Sequence, residues 1–191
     1  LTLAGPAQRQ ARAAADDMYR IPHRNTGVIG SSVIHCFDYN AACTGLNERD
    51  CKKNGIQYDY VYVIPGDKVG LMPASNPLFF KLIFEKPSGR ILGAQAVGKG
   101  NVDKRVDVIA SFIMLNGTLE YLKELELCYS PMFGTAKDVV NHAALVGMNI
   151  LNGVFNQVPV TMVRELVEKN ACIIDVREPR EFEMGHIINA V

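Results

Sequence analysis

No stretch of this sequence is apolar for the length of a membrane span, no CxxC pair occurs among its five cysteines, and neither sign of charge prevails, with 20 basic residues against 20 acidic ones. A helix that crosses a bilayer needs about 20 consecutive apolar residues, so no span and no membrane partner is expected. Without a basic stripe, the electrostatic footprint of a nucleic-acid binder is missing. Cys36, Cys43, Cys51, Cys128 and Cys172 are scattered and odd in number. That spacing fits neither a zinc site nor a disulfide framework, so reduced thiols, mostly in the core, are expected. The histidines at 23, 35, 142 and 186 show no HxxxH or HExxH spacing, and neither a GxSxG elbow nor a GxGxxG fingerprint occurs. Metal, serine-nucleophile and dinucleotide sites of those kinds are therefore not expected here. The opening LTLAGPAQRQ lacks the basic start and apolar block of a signal peptide, which points to the cytoplasm. It also lacks an initiator Met, as expected of a chain cut from something longer.

What is present is apolar enough to fold: 48% of the 191 residues are hydrophobic. Residues 6–19 read as a helix, rich in Ala with Pro6 at its first position. IPHRNTG is a linker by composition, and VIGSSVIHCFDY reads as one strand. LNERDCKKNG is a short helix closed by Gly55. In YDYVYVIP the three tyrosines share one strand face and Val61 and Val63 the other. LFFKLIFE and RILGAQAVG flank KPSG as a hairpin. A helix is expected from Asn101, with Val102, Val106, Ile109 and Ile113 on one face. A short helix follows Thr118. The last long helix begins at Thr135, with Asp138 three residues on in a capping-box pattern, and ends at Gly153. Val139, Ala143, Val146 and Ile150 form its apolar stripe. About four strands followed by helices imply an α+β fold, an antiparallel sheet with helices packed on one face. After residue 153 the pattern restarts as helix, buried strand and helix, the opening of an α/β domain that is incomplete at Val191.

Two stretches invite a chemical reading. GAQAVGKG, 93–100, nearly matches a phosphate loop, but Gly100 stands where a Ser or Thr should be and the run is strand-like; it reads as a strand leaving into a turn. ELCYSPMFGTAKD, 126–138, places Tyr129, Pro131, Met132 and Phe133 where a plain connector would be polar.

LAGPAQRQARAAADDM, AACTGLNE, RILGAQAVGKGNVDKRVDVIA and LELCYSPMFGTAKDVVNHAA together resemble the C-terminal part of FAD-dependent pyridine nucleotide–disulfide oxidoreductases, of the CoA-disulfide reductase and NADH oxidase type. IIDVREPREFEMGHIINAV resembles the start of a rhodanese domain, and reductases with a fused rhodanese domain have this order of parts. The resemblance implies three segments. Residues 1–24 would be the terminal helix of the FAD-binding domain and a linker, 25–153 the dimerisation domain, and 154–191 a linker and the truncated rhodanese-like part.

It also implies a homodimer that uses FAD and NADH or NADPH to reduce a CoA-type disulfide or persulfide. A reductase of oxygen or peroxide is the alternative within the class, and a non-catalytic dimerising module the alternative outside it. The nucleotide-binding folds and the redox-active and rhodanese cysteines would lie elsewhere, so this portion alone is expected to be inactive. Tyr129 would reach the flavin and thiol pocket of the other subunit as a catalytic phenol, with Phe133 keeping the loop rigid and dry. Lys137 stands where the reductases place a lysine that contacts CoA. Leu3, Ala4, Pro6 and Ala7 would line the flavin, whose electron-rich edge suits a helix N-terminus, and Gln8 would face substrate. Two departures stand out. Leu71 and Met72 replace a family Tyr-Tyr pair, and Met132 replaces a proline.

Overall fold

A computed structural model of the chain describes residues 3–23 and 27–191. The expected boundary between residues 24 and 25 lies outside the described residues. The chain divides into two compact units, the larger ending at Val154 and the smaller running from Phe155 to Val191.

The larger unit is built on a five-stranded antiparallel sheet. In chain order the strands are β1 (Ser32–Cys36), β2 (Tyr39–Gly45), β3 (Tyr58–Val63), β4 (Leu78–Glu85) and β5 (Ile91–Gly98), arranged β1-β2-β5-β4-β3. Strand alternation divides the side chains between two faces. Val61, Val63, Leu78, Phe80, Leu82, Phe84, Ala94 and Ala96 turn to one side and are buried there against three helices. These are α3 (Val102–Met114), α4 (Leu119–Lys123) and α5 (Val139–Leu151). Val102, Val106 and Ile109 of α3 and Val139, Ala143 and Ile150 of α5 supply the expected stripes. Each large side chain buried here contributes about 1.5–3 kcal/mol, so this cluster is the main core of the unit.

The opposite face is only partly covered. The short helix α2 (Glu48–Lys53), capped by Asn47 accepting from Asp50 N–H, lays Cys51 on Ile83 and Leu92. The rest of that face leaves Ile34, Tyr39, Tyr62, Phe79 and Val97 exposed. Lys81 stands at the border, paired with Glu48 and lying 4.6 Å and 4.9 Å from the Tyr60 and Tyr62 ring centres.

The first helix, α1, spans Ala4–Met18, so Pro6 lies inside its first turn rather than at its start; the N–H that proline lacks is unpaired anywhere in that turn. The run expected as one strand over 28–39 is instead the first arm of a hairpin. The chain reverses at Phe37 and Asp38, with Phe37 at φ 51°, and returns as β2, a strand beyond the four or so expected. GAQAVGKG is β5 and the turn after it, as read from sequence. The last long helix starts at Val139, not Thr135. Asp138 is its cap, accepting from Val140 N–H at 3.3 Å, while the Thr135 hydroxyl donates to the Lys137 carbonyl.

The smaller unit holds α6 (Val160–Glu168) and α7 (Pro179–Met184), the latter with Pro179 in its first turn. ACIIDV is not a buried strand. It makes a single parallel bridge, Ile173 to Ala190, and none of its residues is buried, since no neighbouring strand in this unit covers it. Arg177 ties together the segments on either side of α7, donating to the Asp175 carboxylate at 2.6 Å and to the Gly185 carbonyl at 2.8 Å. The hydrogen bonds to Asp175, from the Arg177 side chain and then its backbone, hold that carboxyl down to about 2. The His186 ring stacks on Phe182 at 3.8 Å.

The cysteines differ from expectation. Only Cys51 is buried; Cys36, Cys43, Cys128 and Cys172 are exposed, because three lie on partly covered strands or loops and Cys172 on the uncovered ACIIDV segment. Burial, then the charges of Asp50 and Glu48, raise the Cys51 thiol, which makes it an inert packing group. Among the described residues no group of His, Cys, Asp and Glu could hold a metal, and no helix is long and apolar enough to cross a membrane.

Candidate functional site

The loop from α4 to α5 presents its aromatic residues outward on a fixed backbone. Phe133 and Gly134 N–H both donate to the Ser130 carbonyl, at 2.8 Å and 3.2 Å, closing a tight turn around Pro131 and Met132. Tyr129 is 50% exposed and Phe133 64% exposed. At one end, the Asn141 amide of α5 donates to the Leu122 and Leu125 carbonyls at 3.1 Å and 2.9 Å. At the other, Asp138 both caps α5 and accepts from Arg105 of α3 at 3.0 Å. Arg105 and Asp138 are 3% and 6% exposed. A buried ion pair of this kind fixes geometry because breaking it strands a charge.

A cavity of about 360 Å³ opens beside this loop, lined among others by Lys123, Cys128, Tyr129, Lys137, Asp138 and Asn141. The structure thus brings Tyr129 and Lys137 to one concavity, with a phenol and an ammonium available to the same ligand. Phe133 lies on the loop but not in that lining. Lys137 precedes the cap of α5 and is exposed; it does not sit in the helix's first turn.

The second set gathers at the start of α1. Leu3, Ala4, Pro6 and Gln8 line a cavity of about 700 Å³ with Arg9, Arg12 and residues 28–31; Ala7 is not in the lining. Leu3 is the N-cap and supplies no side-chain cap, and the first-turn N–H groups of a helix suit a negative group. The two cavities share no residue.

Leu71, one of the two residues in place of the family tyrosines, is almost fully exposed at the tip of the loop between β3 and β4. Arg105 and Asp138 were not identified as site residues from sequence. The available signal was position: Arg105 falls three after Val102 and four before Ile109, inside the apolar stripe of α3, where a cation needs a buried partner.

With this geometry in view, the family can be stated. The model of the pyridine nucleotide-disulphide oxidoreductase dimerisation domain matches residues 31–140, and the chain belongs to that family. It is 36% identical over 115 residues to the coenzyme A disulfide reductase of Staphylococcus epidermidis, a match covering 60% of this chain and 26% of that protein. Among solved structures, the reduced CoADR-RHD of Bacillus anthracis is similar over 99% of this chain and 34% of its own, with a TM-score of 0.95 and 41% identity. An NAD-dependent persulfide reductase from A. fulgidus is similar over 97% of this chain and 33% of its own, with a TM-score of 0.85 and 33% identity. The chain therefore spans about a quarter to a third of the length of these relatives.

Proposed function

We propose that this chain is the dimerisation portion of a homodimeric, cytoplasmic, NAD(P)H-dependent flavoprotein that reduces CoA disulfide or persulfide. The observation that carries the reading is the convergence of Tyr129 and Lys137 on one cavity beside a rigid, outward-facing aromatic loop. In the complete dimer this loop serves the active site of the other subunit. The exposed sheet face around Phe79, Val97 and Tyr62, together with α5, supplies candidate contact surface. An apolar patch of that kind on a globular unit is characteristic of an interface.

The residues present fit a flavin: the first turn of α1 opens on a cavity, and its N-cap Leu3 offers no side chain to occupy the first N–H groups. A flavin held there would supply hydride and electron transfer between NAD(P)H and the disulfide. Leu3, Ala4 and Pro6, which line that cavity, would hold its polar edge, where the helix dipole favours negative charge, and Gln8 would face substrate. The Tyr129 hydroxyl would donate to the sulfur that gains charge. Phe133 would shield the pocket, and Lys137 would meet a CoA phosphate. Residues 1–24 belong on this reading to the FAD-binding domain, 25–153 to the dimerisation domain and 154–191 to a linker and rhodanese-like part. The pairing of Arg177 with Asp175 and Gly185 favours the last assignment, because it joins the Asp-Val-Arg and Gly-His-Ile segments.

The test is made on the complete reading frame. A yellow protein that oxidises NADH fastest with CoA disulfide or persulfide is expected, and preference for oxygen would move it to the oxidases. Tyr129→Phe should lower disulfide turnover roughly a hundredfold, the scale of losing one transition-state donor, with flavin content intact. Unchanged turnover would remove Tyr129 from the chemistry.

A further inference from the structure

Arg105 is the least exposed cation among the described residues, and it lies between two loops rather than within one. From α3 its guanidinium reaches the Asn101 carbonyl at 3.1 Å, the Asp67 carbonyl at 3.3 Å, the Phe133 carbonyl at 3.4 Å and the Asp138 carboxylate at 3.0 Å. Phe133 closes the turn that follows Tyr129. Asp67 closes the base of the other loop: its N–H donates to the Asn76 carbonyl at 2.8 Å and its carboxylate accepts from Asn76 N–H at 2.9 Å. That loop carries Leu71 and Met72. Packing leaves no slack, since a Cβ on Gly134 would come within 3.3 Å of the guanidinium, and one on Gly100 within 2.4 Å of the Asp67 carboxylate.

We propose that Arg105 is a positioning residue for the disulfide-reducing site, setting the spacing between the Tyr129 loop and the Leu71–Met72 loop from one buried guanidinium. The proposal rests on the reading that Tyr129 acts on substrate. A planar fork with five donors can serve carbonyls of two loops and a carboxylate at once; a lysine ammonium is a single point that keeps the Asp138 pair and releases the carbonyls. Arg105 touches nothing that reacts, so its effect is confined to where Tyr129 stands.

The experiment has two arms. In the complete reading frame, Arg105→Lys, Tyr129→Phe and the double variant are compared in separate half-reactions, flavin reduction by NADH and reoxidation by CoA disulfide. Arg105→Lys should leave flavin content and the NADH step unchanged and slow the disulfide step by roughly tenfold to a hundredfold, the penalty of a small misplacement. The double variant should be no slower than the slower single variant. Equal slowing of both steps, losses that multiply, or an unaltered disulfide step would each overturn the proposal. In the second arm, amide hydrogen exchange at Phe133 and Gly134, whose N–H groups donate to the Ser130 carbonyl, is followed by NMR in the 191-residue chain, with the amides of β4 as reference. Arg105→Lys should speed exchange at both several-fold and leave β4 unchanged, because a released loop opens more often. An unchanged rate at Phe133 and Gly134 would overturn the proposal whatever Tyr129→Phe does. Faster exchange there with a neutral Tyr129→Phe would sink the Tyr129 reading and leave the latch standing. Should Arg105→Lys fail to fold, Asp138→Asn, which keeps the cap and weakens the hold on the guanidinium, should give the same pattern at smaller amplitude.

Discussion

Replacing Lys81 by Met should destabilise the larger unit, and the part of the loss that comes from stranding Glu48 should vanish when Glu48 is changed to Gln as well. The Lys81 side chain is 8% exposed and that of Glu48 31%. Removing one member of a fully buried pair costs about 3–5 kcal/mol. Glu48 keeps nearly a third of its surface in water, so roughly 1–2 kcal/mol is the part to expect here. Two cation–π contacts, to Tyr60 and Tyr62, are lost as well, at about 0.5 kcal/mol each for half-open rings. Met retains the packing of the lysine stem, and the total is about 2–3 kcal/mol. In the double variant no charge is stranded, but Glu48→Gln forgoes a favourable charge in the first turn of α2, about 0.3–1 kcal/mol. The coupling from a four-variant cycle should therefore be about 1–2 kcal/mol, measured by urea unfolding at one protein concentration. It should also be pH-dependent in one direction. Burial pulls the Lys81 ammonium down, but the Glu48 and Tyr62 interactions outweigh it and leave it above the usual 10.5. A raised lysine contributes fully below its unfolded value and loses its contribution as pH rises through the folded one. Coupling that is absent at neutral pH, or that grows above 10.5, would refute the argument.

Gly93→Ala should cost more than about 3 kcal/mol of stability in urea unfolding, beyond ordinary overpacking: its Cβ would lie 2.0 Å from the Leu46 carbonyl oxygen, a backbone atom, and an unchanged midpoint would mean that β5 is free to shift. In the smaller unit, Asp175 should titrate near 2 by carboxylate NMR and return toward 3.8 in Arg177→Met. Any stabilisation from this depressed carboxylate is present above its unfolded value and disappears as pH falls through about 2, so a titration midpoint near 3.8 in the parent chain would contradict the Arg177 contact.

The central strands and the two long helices were legible because local preference and tertiary burial agree there. LFFKLIFE and ILGAQAVG are apolar runs on either side of a turn sequence, and VDVIASFI repeats at helical spacing. The β1–β2 hairpin escaped because Asp38 is the one turn-forming residue at the reversal and the left-handed position beside it is taken by Phe37 rather than Gly or Asn; its register to β5, set by Ala41 opposite Val97 and Cys43 opposite Gln95, supplies the reason for the turn. The start of α5 was misplaced for a related reason. Thr135 and Asp138 are both good caps, and what selects Asp138 is a guanidinium 33 residues earlier in sequence. Exposure of Cys36 and Cys43 follows from a sheet covered fully on one face only, which composition cannot reveal. Tyr129 and Lys137 were found through resemblance; their convergence on one cavity is a property of the fold.

Exposure of Tyr129, Met132 and Phe133 needs a reason, because about 25 cal/mol is forfeited for each Å² of apolar surface left in water. A loose loop would fold these rings back onto the nearby core. This loop is prevented from doing so. Its Ser130 carbonyl accepts from the Phe133 and Gly134 N–H groups, its Leu125 carbonyl from Asn141 and its Phe133 carbonyl from Arg105, and Asp138 anchors it to α5. The tie is polar and buried, the aromatic groups apolar and outward, which is the reverse of what stability alone would select. In the proposed dimer that inversion is resolved, since the rings enter the partner's pocket while the polar latch stays within its own protomer. Each subunit then fixes its loop before the partner arrives, and association need not supply the ordering entropy of that segment.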